Sequence, residues 1–111
     1  TQGASPNKPK QQPGVNRKEQ RRIDAEHRRL RKDVLTPLQS ELAKEEAKIA
    51  ELEASQATLT EHMSDPAISA DSEKMQEASS AYRNLADKLE HAFTKWGELN
   101  EQIERLEAQL G

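Results

Sequence analysis

Eight cations crowd into sixteen residues near the start of this chain: Arg17, Lys18, Arg21, Arg22, Arg28, Arg29, Arg31 and Lys32. Guanidinium and ammonium groups at this density are suited to phosphates. If the segment is helical, their steps of three, four and seven residues place several of them along common faces. There each would replace a counterion condensed on a nucleic-acid backbone. The plainer reading is that the same cations flank a coiled-coil seam and pair with Glu98, Glu101, Glu104 and Glu107 on an opposing helix. Eight bases against four acids, with Arg105 adding a further base, leave a surplus of positive charge. The surplus favours a nucleic-acid partner, RNA or DNA being equally open.

No other group of residues suggests chemistry. The chain has no cysteine, so it offers no disulfide framework and no thiolate metal site. His27, His62 and His91 are scattered without ligand-type partners four residues away, and no metal site is expected. There is no G-x-x-x-x-G-K-[ST] phosphate loop, so the chain itself is expected to hold no cofactor and to catalyse nothing. With aromatics at 3% of the residues, base stacking has little to work with. Binding to nucleic acid should therefore run through the backbone, weaken with salt and read sequence poorly.

The elements that position the cations follow from composition and spacing. A third of the 111 residues are charged, too polar for an ordinary globular core, while regular apolar spacing in an Ala-, Glu-, Lys- and Leu-rich chain is the mark of long coiled-coil helices. The net charge of −3 conceals a division: residues 1–40 carry ten basic and four acidic groups, and the rest carry seven and sixteen. A basic end and an acidic remainder again imply an anionic partner at one end. No stretch approaches the roughly 20 apolar residues that span a bilayer, and no signal pattern opens the chain, so a cytoplasmic location without membrane contact is expected.

Residues 1–15, with three prolines and two glycines, read as a flexible linker. Asn16, followed three residues on by Glu19, resembles a capping box and predicts the start of a first helix that runs from about 16 to 63. Ser64-Asp65-Pro66 combines capping residues with a proline suited to a first helical turn, which predicts a bend over 64–70. A second helix is then expected over about 71–110, with Gly111 as terminator.

On the second helix Met75, Ala78, Tyr82, Leu85, Leu89, Ala92, Trp96, Leu99, Ile103, Leu106 and Leu110 alternate steps of three and four, an unbroken heptad seam. On the first, Leu38, Leu42, Glu45, Ile49, Leu52, Gln56, Leu59 and Met63 do the same with two polar interruptions. Folding back about residue 67 gives facing pairs of constant sum, among them Leu52 with Tyr82, Ile49 with Leu85 and Leu38 with Trp96. The predicted fold is thus all-α, two long helices in an antiparallel intramolecular coiled-coil hairpin. Two helices alone leave one side of the seam open, so a monomer with at most weak dimerisation is expected.

Nearer the termini the apolar set becomes Ile23, His27, Leu30 and Val34, and the pairing sum falls by one. One residue has been inserted in the first helix. The insertion lies close to Pro37, which has no amide proton and clashes with the carbonyl four residues back. A kink or π-type bulge between about residues 33 and 38, facing Trp96, would absorb both. Trp96 and Tyr82, as seam residues, are expected to serve packing, and Glu45 and Gln56 to fix register.

The opening NRKEQRR, the turn MSDPAIS and the closing AFTKWGELNEQIERLE together resemble the C-terminal domain of bacterial ABC-F proteins of the Uup and YheS type, over about residues 16–107. That resemblance implies a parent protein with two ATP-binding cassettes and no membrane domain, using ATP and Mg, acting on ribosomes in translation. It also implies that this hairpin is an arm that binds nucleic acid. The MSDP turn and the acidic helix with Tyr82 are similar, in second place, to the N-terminal helical domain of peptide chain release factors, which would make the chain a structural or protein-binding coiled coil.

Overall fold

The computed structural model describes residues 16–111, and the linker expected over residues 1–15 lies outside them. Among the described residues there is no strand. The order is α1 (Arg17–Leu30), a π-helical turn (Arg31–Leu35), α2 (Thr36–Met63), the short α3 (Pro66–Ser69) and α4 (Ser72–Leu110). The first three segments make one continuous rod that runs out, and α4 runs back along it. The result is an elongated antiparallel hairpin, as the heptads require.

Local capping sets each end. The Asn16 side chain accepts from the Glu19 amide at 2.7 Å, supplying one of the partners that a first helical turn lacks. The reciprocal half of the expected box is not formed, because the Glu19 carboxylate turns to Arg22 at 3.6 Å. At the bend, Ser64 Oγ donates to the Glu61 carbonyl at 2.8 Å and closes α2. Asp65 Oδ1 then accepts from the Ala67 amide at 3.0 Å with Pro66 in the first turn of α3. Asp71 Oδ1 accepts from Glu73 and Lys74 at 3.0 and 3.1 Å and opens α4. Three side-chain caps within eight residues hold the reversal without a glycine.

The helix defect is a π-turn, and it falls one half-turn earlier than the spacing had suggested. The Thr36 amide donates to the Arg31 carbonyl, five residues back, so the ladder is widened just before Pro37. A proline there would otherwise press on the carbonyl of Asp33. The apolar stripe accordingly takes a five-residue step from Leu30 to Leu35, after which threes and fours resume. Leu35 is 8% exposed whereas Val34 is 40% exposed, so Leu35 occupies the seam place assigned to Val34. Ile23, also expected in the seam, is 37% exposed.

The core is a line of small clusters. Leu35, Ile103 and Leu110 are buried together, flanked by Leu30, Leu38, Leu42 and Leu106, and Ile49, Leu89 and Ala92 form a second group with Leu52. Among the described residues no large side chain is fully buried, because a two-helix seam always leaves an open flank. Glu45 is the one buried charged residue among those described, and its carboxylate reaches Lys48 Nζ at 3.8 Å.

Two of the aromatics depart from the packing role expected of them. Tyr82 and Trp96 are 38% and 36% exposed, and the Trp96 indole lies at the rim, where its Nε1–H donates to Glu46 Oε2 at 3.1 Å. The thin layer between two helices is too small for an indole, and its N–H needs a partner outside the apolar stripe. The π-turn faces Ile103 and Leu110 rather than Trp96. No helix among the described residues is long and apolar enough to cross a membrane.

Candidate nucleic-acid interface

α1 and the π-turn carry all eight cations singled out from the sequence. Arg17, Lys18, Arg21, Arg22, Arg28 and Arg29 lie on α1, and Arg31 and Lys32 occupy the first two places of the π-turn. Every one of the eight is exposed. At about 100° per residue the six on α1 fall within an arc of about 140° whose centre lies opposite the direction of Ile23, His27 and Leu30. Ala25 is the only other α1 residue in that arc, and Asp24 lies about 20° outside it. The cations therefore form one outward face, with the seam behind them.

That placement bears on the salt-bridge reading. The acids Glu98, Glu101, Glu104 and Glu107 lie on α4, across the seam, while the guanidinium groups point away from it. Among the described residues four ion pairs form, and only Arg22 with Glu19 involves the cluster, at 3.6 Å with the Arg22 side chain 76% exposed. Glu101 instead bonds Arg105 on its own helix at 3.2 Å. Seven of the eight cations have no carboxylate within salt-bridge reach. An unneutralised half-cylinder of guanidinium and ammonium groups is an electrostatic footprint for a polyanion.

The sequence profile of a family described as the ABC transporter C-terminal domain matches residues 37–101, 65 of the 111 residues. The chain belongs to the ABC transporter C-terminal domain family. The match begins at Pro37 and covers α2, the bend and most of α4, so it rests on the hairpin and not on the basic stem. In this C-terminal domain the stem is the part that the family likeness does not describe, and it is also where the charge is concentrated. Neither a curated protein nor a solved structure gives a match.

Two features of the domain escaped the sequence reading. Phe93 is 47% exposed, the most exposed of the large apolar side chains among the described residues. Its place directly after the seam residue Ala92, off the heptad stripe, was the available signal. Gly97 sits within the 39-residue α4, and a side chain built on it would meet nothing within 4 Å. No group of three His, Cys, Asp or Glu able to hold a metal occurs among the described residues.

Proposed function

We propose that this C-terminal domain is a non-catalytic arm that lays the outward face of α1 and the π-turn along the phosphate backbone of a nucleic acid. The observation that carries this reading is the run of exposed cations on α1 and the π-turn, seven of the eight without an acidic partner among the described residues, beside a hairpin that is otherwise acidic. A purely structural coiled coil would need no such face. The hairpin supplies the support, and the π-turn joins the stem to it as one continuous helix.

The parent protein is proposed to be an ABC-F ATPase of the Uup or YheS type, cytoplasmic and acting on ribosomes in translation. ATP and Mg would be held by its cassettes, since this chain has no phosphate loop and no metal-ligand cluster among its described residues. The family match favours this parent over a release factor. Ribosomal RNA and duplex DNA both present the phosphate spacing that the face would read, and its few aromatics favour backbone over base contacts.

Fluorescence anisotropy of a labelled RNA hairpin and a DNA duplex, titrated with the domain at several salt concentrations, tests the reading. Each phosphate neutralised should contribute about −0.9 to the slope of log affinity against log salt on duplex DNA. Reversing Arg21, Arg22, Arg28 and Arg29 to Glu should abolish binding while circular dichroism stays helical, because none of the four belongs to the seam. Retained affinity at moderate salt in that variant would reject the proposal.

A further inference from the structure

One lateral face of the hairpin is apolar and acidic, and none of the ion pairs among the described residues falls on it. Along α4, Ala86, Glu90, Phe93, Gly97, Asn100 and Glu104 follow at alternating steps of four and three, which aligns them beside the seam. Trp96, one helical turn from Phe93, leans to the same side, since its indole bonds Glu46 of α2. Around Glu46, the exposed residues Ala43, Ala50 and Glu53 continue the face across α2. The opposite edge of the seam holds the lysines, with Lys95 paired to Glu41 there at 3.9 Å.

Gly97 provides an independent pointer. Glycine is the least favourable residue after proline in a helix interior, yet a Cβ at this position would touch no atom within 4 Å. Nothing in the chain requires glycine here. A bare stretch of helix backbone beside two exposed aromatic rings fits the close approach of an element from outside.

We propose that this ledge receives an arginine-rich helix of a partner protein, lying across Gly97 with guanidinium groups over Phe93 and Trp96 and hydrogen bonded to Glu46, Glu90 and Glu104. The charge of the rim selects the occupant. None of the ion pairs among the described residues involves Glu46, Glu90 or Glu104. An acidic helix would be repelled, and an apolar one would strip water from unpaired carboxylates. Arginine satisfies both parts of the surface, because its planar group stacks on aromatic rings while its edge donates to carboxylates. The site lies on α4 and α2, apart from the cationic stem, and does not depend on the nucleic-acid reading.

Trp96 is the only tryptophan, so its fluorescence reports on the ledge directly. The probe is an alanine-based helical peptide of about 16 residues with arginine at every third or fourth position, long enough to hold some helix alone. Saturable change in Trp96 emission is expected, weakened measurably by Gly97→Ala and at least ~10-fold by Gly97→Leu and by Phe93→Ala. Gly97→Leu should leave helical circular dichroism and nucleic-acid affinity at the wild-type level, which separates a blocked ledge from a misfolded chain or a failed stem. Equal affinity for wild type and Gly97→Leu would overturn the proposal, as would equal affinity for a peptide with lysine in place of every arginine. A Gly97-dependent dimer in sedimentation without peptide would overturn it too, by showing that a second copy is the occupant.

Discussion

Glu45 poses the sharpest question at the scale of single residues. It is 7% exposed on an apolar seam, in the line that runs from Leu42 to Ile49, and its nearest cation is Lys48 at 3.8 Å. A carboxylate in that place loses hydration and recovers only part of it, so its presence favours specificity over stability. Lys48 lies three residues on along the same helix and stays with it in every register, so another register changes only what the opposing helix sets against the carboxylate. Replacing Glu45 with Leu should raise the thermal midpoint, corresponding to about 1 kcal/mol or more, and should also admit concentration-dependent association. Calorimetry together with sedimentation velocity checks both halves. A variant that is destabilised and strictly monomeric would show that the carboxylate contributes binding energy of its own.

At the same scale, the aromatics show what heptad spacing conceals. The spacing places Trp96 and Tyr82 at seam positions, and by position they are. Size then moves them to the rim, because the layer between two helices accommodates Leu, Ile and Ala but not an indole. Phe93 was legible as an off-stripe aromatic, and Gly97 as a helix breaker with no turn to make. Their exposure was not, since it depends on what the opposing helix puts across from them.

At the scale of elements, the hairpin itself was plain from the sequence. Two stripes of matched length, a bend with capping residues on both sides and a constant pairing sum leave one way to fold. The insertion in the first helix was also legible, but its place was not. Val34 and Leu35 are adjacent and both apolar, so the pattern admits either one as the seam residue. The π-turn decides for Leu35, which is larger and fills the space between Ile103 and the neighbouring leucines. Leu35→Ala should therefore destabilise the hairpin by about 2–3 kcal/mol, and Val34→Ala by less than about 0.5 kcal/mol. Urea denaturation of the two variants gives the comparison, and a larger loss for Val34→Ala would put the wide turn in the wrong place.

The stem illustrates the same limit. Helical spacing alone was enough to cluster Arg21, Arg22, Arg28 and Arg29. What spacing left open was whether the glutamates of α4 lie within reach. They pair with none of the stem arginines, because Leu30 packs on the cluster of Leu35, Ile103 and Leu110 and the arginines lie on the other side of α1.

At the scale of the whole molecule, charge and shape divide the labour. The family likeness covers the acidic hairpin, residues 37–101, and the cations precede it. On the proposed reading, this two-helix strut holds a polyanion against the stem at one end and a basic partner on the ledge along its side. Salt should weaken contacts at the stem far more than it weakens the seam, where burial of leucine and isoleucine provides the stability.

The most direct measurement of the central claim is a map of the amide resonances of the isotopically labelled chain during titration with a short nucleic-acid duplex at low salt. The account predicts shifts concentrated on residues 17–32, fading as salt is raised, with residues 86–104 of α4 unmoved. Shifts centred on the bend or on α4, or none anywhere, would contradict it.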